Sequence, residues 1–486
     1  MVRWIIDWRG DLGGAVLLAA GFLSLIGAAE LWRVLGSPSP EATRKLTHLG
    51  AGVGCIALPF LVHSPWVVLV LAAGMTTLFA LGARFGFLPA LHRVDRRTRG
   101  SEYYPVAVFL LFLMARDRPA IYVSAVLVLA VADAFAAIIG MRYGRLRYEV
   151  EDGAKSVEGS VTFLLIAFLA IHLPLLLMTD LDRAHAVLSA LLIAALVTMF
   201  EAISLSGADN LFVPIAVAIG LDKITSKPLA EAIYQNLSLA AIALVCALVA
   251  RRARWFNTGA TLVLILYTFG AWALGSWLWA LPMLIALAAS LAVGLRAGER
   301  ARGSQKVRAT AAAVLPPFLF LAARNALDSS QGALFGAYLA ALAAAVGCWI
   351  RAHSSLFRAR PSAPARPGAP AEPRSPAPRL ALLAVVALAA ALTVALPAWV
   401  FDPDRSVAAL LATCAAAAAA VVAESVWSWL LARGEPVARW TARRFLASLA
   451  AGGLVLALQA AGAVPPWHPE RAAIDPQRAV WEAIDG

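Results

Sequence analysis

Long apolar runs, separated by short polar segments, occur along almost the whole chain. Most runs are about 17–22 residues long, which is enough for an α-helix to cross the roughly 30 Å hydrocarbon core of a bilayer. The pattern therefore predicts an all-α fold, a polytopic integral membrane bundle of about 16 transmembrane helices. The predicted spans lie near residues 13–32, 47–62, 66–82, 103–115, 119–140, 160–178, 186–204, 211–221, 231–250, 259–274, 277–295, 309–325, 331–350, 380–397, 406–431 and 445–463.

The composition agrees with this pattern. Of the 486 residues, 61% are hydrophobic and only 14% are charged, and the mean hydropathy is +0.77. This balance excludes a soluble globular protein. The four cysteines all lie in predicted spans and far apart in sequence, so we expect neither a disulfide nor a zinc site.

The chain carries a formal net charge of +12, and the location of that charge decides its meaning. With the N-terminus outside, about 30 of the 41 Lys and Arg residues fall in loops on the inner side. This bias is typical of membrane topology, so the basic residues are expected to face lipid headgroups and no nucleic-acid partner is predicted. We expect a multi-pass protein of the cell inner or plasma membrane, with membrane lipids among its partners.

The character of the spans changes after residue 255. Intramembrane acids are concentrated before this point and nearly vanish after it, Glu424 being the exception. Within the later part, a Pro/Ala-rich stretch is typical of a disordered linker. The predicted domains are a transmembrane catalytic domain at 1–255, additional transmembrane helices at 256–353, a disordered cytoplasmic linker at 354–378, and C-terminal transmembrane helices with a tail at 379–486.

The most informative stretch surrounds Asp133, an acid inside an apolar span. An ionised carboxylate in a bilayer costs several kcal/mol unless it is paired or bound to a metal, so it marks a functional site by default. The alternative is a structural acid, either neutral or paired with an arginine. Small residues after it, including Gly140, let another helix or a ligand approach closely. We predict that Asp133 is a catalytic residue and a metal ligand, and that Gly140 contributes to cofactor binding.

Basic residues at the mouth of the second span form a first candidate for anion binding. Arg44 and His48 are four residues apart and share one face of a helix, and Lys45 lies between them. Interfacial snorkelling of the basic side chains into the headgroup region is the alternative. The position of His48, one turn further in, favours binding of a cofactor by all three residues.

The segment from Lys155 to Ser160 is a second candidate, because it leads into the next span. The free N–H groups and the dipole of a helix N-terminus favour phosphate. A Walker motif is rejected, since its upstream glycine spacing and its preceding strand are missing. We predict catalytic roles for Lys155 and Glu158, and cofactor binding by Ser156, Gly159 and Ser160.

Further acids follow the seventh span. Glu201 ends that span, and Asp209-Asn210 begin a short apolar stretch broken by Pro214, as in a discontinuous helix that lines a polar site. A helix N-cap is the alternative role for Asp209. We predict that Glu201 is catalytic, that Asp209 binds a metal and that Asn210 binds a cofactor. The charge bias places all these candidate residues at the cytoplasmic side.

Five motifs in this order resemble the polyprenol kinase family over roughly residues 40–250. They are Arg-Lys-x-x-His from Arg44, Glu-Tyr-Tyr-Pro from Glu102, Ala-Asp-Ala-Phe-Ala-x-x-x-Gly from Ala132, Lys-Ser-Val-Glu-Gly-Ser from Lys155 and Asp-Asn-x-x-x-Pro from Asp209. The family includes phytol kinases and dolichol kinases, integral membrane enzymes that phosphorylate isoprenoid alcohols with CTP. The resemblance implies a nucleotide and Mg²⁺ site formed by Asp133, Lys155, Ser156, Glu158, Gly159, Asp209 and Asn210.

The predicted function is therefore CTP-dependent phosphorylation of a membrane isoprenoid alcohol. The residue chemistry fits: Asp133 and Asp209 offer hard oxygen ligands for Mg²⁺, Lys155 offers a phosphate contact, and Glu201 or Glu158 can orient or deprotonate the alcohol. Two alternatives remain. A cytidylyltransferase that forms a CDP-lipid would use the same groups, although its His-Gly-Gly and Asp-Arg-x-x-Asp patterns are absent. A transporter would also place acids at mid-bilayer, but an internal inverted repeat is not found.

Overall fold

The computed structural model describes residues 8–36, 38, 40–86, 100–151, 153–204, 207–253, 256–297, 306–327, 331–353, 377–402, 404, 406–430 and 437–467. Most of the predicted linker, residues 354–376, lies outside this set, as does the predicted tail from residue 468 onward.

The described residues are almost entirely helical. The helices are α1 Trp8–Gly36, α2 Pro40–Leu61, α3 Pro65–Phe85, α4 Gly100–Ala115, α5 Pro119–Tyr143, α6 Val157–Met178, α7 Arg183–Ile203, α8 Asp209–Thr225, α9 Leu229–Ala253, α10 Thr258–Leu274, α11 Trp277–Ala297, α12 Val307–Leu327, α13 Gln331–His353, α14 Ala377–Phe401, α15 Val407–Leu430 and α16 Val437–Ala460. A short antiparallel hairpin, which we did not predict, joins α5 to α6 through strands β1 Arg147–Val150 and β2 Gly153–Ser156.

Within the described residues, 11 helices are long and apolar enough to cross a membrane. Three more apolar segments are shorter: Gly100–Ala115, Thr258–Leu274 and Trp277–Ala289. The chain is thus an integral multi-pass membrane protein, and the prediction of an all-α polytopic architecture is confirmed. The predicted count of about 16 spans is not confirmed, because several helices are too short or carry too many charges for a standard span.

The chain divides into two compact units, Met1–Leu239 and Ala240–Gly486. The division falls inside α9, whereas the predicted domain boundary at residue 255 lies just beyond the end of that helix. In the first unit, α6 packs against α5 and α7, and α8 packs against α4, α5 and α7. These contacts bring one end each of α5, α6, α7 and α8, together with the hairpin, to one end of the unit.

A π-helical turn, Val128–Ala132, interrupts α5 directly before Asp133. Helix α2 crosses this turn so closely that a Cβ on Gly52 would overlap the Cβ of Ala130. A glycine is therefore required at this crossing, since any larger side chain would push the two helices apart. Such π turns change which way the following side chains face, and they are frequent at functional sites.

The second unit is arranged around α13. This helix packs against α11, α12, α14, α15 and α16, and 78% of its Leu334–Arg351 window is buried. Near one end, Arg351 forms an ion pair with Glu424 of α15, whose second oxygen accepts a hydrogen bond from Ser428. The exceptional intramembrane acid of this half is thus a paired, helix-linking residue.

Candidate active site

The site is built around a buried ion pair between α2 and α5. Lys45 Nζ lies 2.5 Å from Asp133 Oδ2 and also donates to the Asp133 carbonyl oxygen at 3.3 Å. The side chains are only 4% and 19% exposed. An isolated charge would be costly at this depth, so each residue stabilises the charged form of the other. Arg44, one residue earlier, lies within electrostatic range of Asp133.

His48 completes this first cluster. Its Nε2 lies 2.8 Å from the carbonyl oxygen of Leu129 and 3.6 Å from Asp133 Oδ2. A carbonyl can only accept a hydrogen bond, so Nε2 carries the proton. Leu129 lies within the π turn, so the carbonyl that His48 contacts belongs to this turn. The ring edge of His48 also packs against Tyr104 of α4, with 4.8 Å between centroids.

The hairpin brings a second lysine to the site. In its register Tyr148 and Lys155 are direct partners, so both side chains lie on the same face. Lys155 Nζ lies 2.7 Å from Glu201 Oε1 near the end of α7, and also donates to the Glu201 carbonyl oxygen. Tyr148 forms a 2.7 Å hydrogen bond with the hydroxyl of Ser160 on α6. The hairpin is therefore attached to both α6 and α7 through polar contacts.

The charge state of this second pair follows from its surroundings. Burial alone would lower the pKa of Lys155, but the adjacent Glu201 carboxylate, with a further contribution from Asp209, raises it above the ordinary value. Lys155 is consequently a permanent cation at neutral pH. Burial likewise raises the pKa of Tyr148, which remains a neutral phenol.

The connection from α7 to α8 positions Asp209 and Asn210. Ser204 Oγ donates to Asp209 Oδ1 at 3.0 Å and accepts from the Asp209 N–H at 2.8 Å. Gly207 adopts a φ of 85°, in the left-handed region that glycine enters without strain. Asn210 is buried against α4, where a Cβ on Gly100 would meet its Nδ2 at 2.6 Å. Asp209 thus faces the cluster, whereas Asn210 packs between helices.

Three of the predicted cofactor-binding residues form a close contact between α5 and α6. A Cβ on Gly159 would lie 3.1 Å from the Ala136 carbonyl oxygen and 3.3 Å from the Gly140 Cα. Ser156 caps α6, because its Oγ accepts from the Gly159 N–H at 3.1 Å. These residues place the Lys155 strand against α5, and their contact with a cofactor stays a prediction.

Glu158 ties the hairpin to its helix. Its Oε1 accepts hydrogen bonds from the backbone N–H groups of Arg145 and Leu146, at 2.9 and 3.1 Å. The Val157 N–H donates to the Leu146 carbonyl oxygen at 2.8 Å. Two N–H groups at the start of α6, those of Val157 and Gly159, are therefore already used. Phosphate binding by the lysines and by the remaining N–H groups of this helix terminus stays a prediction.

The carboxylates form one electrostatic cluster. Both Asp133 and Asp209 lie within electrostatic range of Glu201. In the described part of the chain, no group of three or more His, Cys, Asp or Glu residues is arranged to hold a metal ion by itself. Mg²⁺ usually takes only one or two protein carboxylates and completes its shell with water and phosphate oxygens. Asp133 and Asp209 carry hard oxygen donors of the kind that Mg²⁺ takes, and their binding of Mg²⁺ with a nucleotide stays a prediction.

Sequence reasoning missed three polar residues that hold the site together: Tyr104, Tyr148 and Ser204. Tyr104 belongs to the Glu-Tyr-Tyr-Pro motif, which was a usable signal for it. Tyr148 could have been found by its position opposite Lys155, had the hairpin been recognised. Ser204 directly follows the last residue of α7 and comes three residues after Glu201 in the sequence.

The fold and the site together define a multi-pass membrane protein with buried lysine–carboxylate pairs at one end of a helical unit. A 208-residue segment of the chain is 32% identical to a phytol kinase of Synechocystis sp., covering 42% of this chain and 89% of that protein. No family model and no solved structure matches the chain. At this identity and coverage, the chain belongs to the family of that enzyme, the phytol kinase-like polyprenol kinases. The recognition made from the five motifs is thereby confirmed.

Proposed function

We propose that this protein transfers the γ-phosphoryl group of CTP to the hydroxyl of a membrane isoprenoid alcohol, such as phytol or a longer prenol. The observation that carries the proposal is the convergence of two lysine–carboxylate pairs, Lys45–Asp133 and Lys155–Glu201, at one end of the unit. Phosphoryl transfer depends mostly on positioning and on neutralising charge, and these groups supply both.

The lysines are the proposed phosphate ligands. Lys45 and Lys155 come from different segments and each holds its ammonium group next to a carboxylate. When a triphosphate enters, both ammonium groups can turn toward its oxygens while the carboxylates stay in place. Arg44 adds positive charge near Asp133, and His48 fixes the contact between α2 and α5 through the Leu129 carbonyl oxygen. The nucleotide would thus bind where the ammonium groups are already in place and only change partner, from a carboxylate to a phosphate oxygen.

Mg²⁺, held by Asp133 and Asp209, would neutralise charge on the transferred phosphate. The role of base is assigned to Glu201, because Glu158 is occupied by the backbone of the hairpin turn. Glu201, whose Oε1 accepts a hydrogen bond from Lys155 before the triphosphate enters, would accept the proton of the alcohol. The alcohol oxygen bonds to the γ-phosphorus, the bond from that phosphorus to the bridging oxygen breaks, and CDP leaves.

The membrane setting explains how a hydrophobic substrate meets a charged donor. The alcohol's apolar chain would remain between the spans, and only its hydroxyl would reach the charged end of the unit. CTP is a cytoplasmic molecule, so the proposal places this end at the cytoplasmic side. Phytol is the substrate in the name of the Synechocystis relative, and its use here is part of the proposal.

The experiment is to incubate the purified full-length protein with a panel of prenols and with CTP labelled at either the γ- or the α-phosphorus. Label in the lipid from γ-labelled CTP alone, together with CDP formation, is the expected result. Label from α-labelled CTP with release of diphosphate would assign the protein to CDP-lipid synthesis instead. Replacing CTP by ATP, GTP or UTP measures the preference for the nucleotide.

A further inference from the structure

The second unit contains a cavity that the site above does not use. It lies between α10, α11, α12 and α13 and has a volume of about 70 Å³. Its lining is mostly aliphatic and aromatic, and includes Phe256, Leu264, Met283, Thr310, Ala313 and Trp349. For comparison, an engineered apolar cavity of about 150 Å³ binds benzene. The space therefore suits a few heavy atoms, such as one end of a chain.

Thr310 gives this cavity its polar chemistry. The residue is only 4% exposed, and its hydroxyl has no hydrogen-bond partner among the residues that the structure describes. A buried hydroxyl without a partner is energetically unfavourable. A bound molecule that offers one hydroxyl would remove this cost. A water molecule is a poorer fit, since buried waters need two to four polar partners and this lining is largely apolar.

The aromatic side chains suit the apolar part of such a molecule. The rings of Phe256 and Trp349 are nearly parallel, at an interplanar angle of 7°, with 6.5 Å between their centroids. Flat rings of this kind pack well against planar groups such as alkenes, and the aliphatic lining accepts methyl groups. The ligand chemistry that fits is a short unsaturated, branched hydrocarbon ending in a hydroxyl.

We propose that the second unit binds the hydroxyl end of an isoprenoid alcohol in this cavity, with the hydroxyl paired to Thr310 and the chain continuing between the helices. The inference takes its ligand class from the proposed function, but it concerns binding without turnover. A second alcohol site would hold substrate on the same chain as the proposed kinase site. The second site can therefore be absent although the protein is a kinase, and it can be present although the protein is not.

The test uses the full-length protein and two photoreactive probes, a farnesol analogue and the same analogue without its hydroxyl. We expect the alcohol probe to label peptides of α10–α13. Thr310→Val should reduce this labelling roughly 3- to 10-fold, since one hydrogen bond is lost. Ala313→Leu, which fills the cavity, should abolish it. Labelling in the first unit and prenol phosphorylation should be unchanged in both variants.

Thr393→Val is the matched control, because Thr393 is exposed on α14 and bonds its own helix at the Ala389 carbonyl. It should leave all labelling unchanged. Absence of label in α10–α13, equal labelling by the probe without a hydroxyl, or labelling that is insensitive to Thr310→Val and Ala313→Leu would each overturn the inference. A wild-type protein that phosphorylates no prenol would instead refute the proposed function.

Discussion

Asp133→Asn separates the structural and catalytic roles of the Lys45–Asp133 pair. At 2.5 Å and an effective dielectric constant of about 20, the attraction between the two charges is about 6–7 kcal/mol before desolvation is subtracted. An asparagine side chain at this position cannot neutralise the ammonium group of Lys45, which is 4% exposed and stays buried. Breaking one side of such a pair typically costs about 3–5 kcal/mol. We therefore expect a variant that is both inactive and destabilised.

The assay is thermal unfolding of the detergent-solubilised protein, combined with prenol phosphorylation. A loss of about 3–5 kcal/mol corresponds to a decrease in Tm of roughly 6–20 °C for a unit of this size. The double variant Lys45→Met/Asp133→Asn removes both charges and should regain most of the lost Tm. Its turnover should remain reduced by about 10³-fold or more, because the proposed metal ligand Asp133 and the proposed phosphate ligand Lys45 are both missing.

Asp222→Asn is the control, since Asp222 pairs with Arg118 at the other end of the first unit and both side chains are about half exposed. An exposed pair is worth about 0–1 kcal/mol, so Tm and turnover should barely change. The reasoning fails if Asp133→Asn keeps the wild-type Tm. It also fails if the double variant recovers its turnover along with its stability, since Asp133 would then have only a structural role.

Three further predictions concern other parts of the first unit. Lys155→Met should lower turnover at least 10-fold and weaken nucleotide binding, measured by titration calorimetry; unchanged binding would remove Lys155 from the phosphate site. Gly52→Ala should lower Tm, because the new Cβ would overlap Ala130. Gly74→Ala is the control: its new Cβ would meet nothing within 4 Å, so this change should be neutral or stabilising by up to about 1 kcal/mol. Equal effects of the two substitutions on Tm would contradict the close crossing of α2 and α5. A cysteine replacing Glu151 in the hairpin turn should react with an impermeant reagent only after the membrane is permeabilised, and reaction in intact cells would place the site on the outer side.

The sequence by itself determined the class of the protein and named the candidate residues of its site. Hydrophobic runs have to become helices in a bilayer, because a helix satisfies its own backbone hydrogen bonds, so the all-α architecture followed from composition and period. The motifs were sufficient for the family, and they contain Lys45, Asp133 and Lys155, whereas Glu201 was named from its position at the end of a span. The cost of a charge inside a membrane made Asp133 conspicuous.

The pairing of these residues was decided by tertiary structure alone. Lys45 and Asp133 are 88 residues apart, and Lys155 and Glu201 are 46 apart, so periodicity within one segment says nothing about which charges meet. The π turn directly before Asp133 lies at the close crossing between Gly52 and Ala130, and no local pattern in the sequence marks it. The hairpin escaped notice because its strands are four residues each, too short for an alternating pattern. Charge pairing in a membrane depends on which helices become neighbours, and that is a property of the packed bundle.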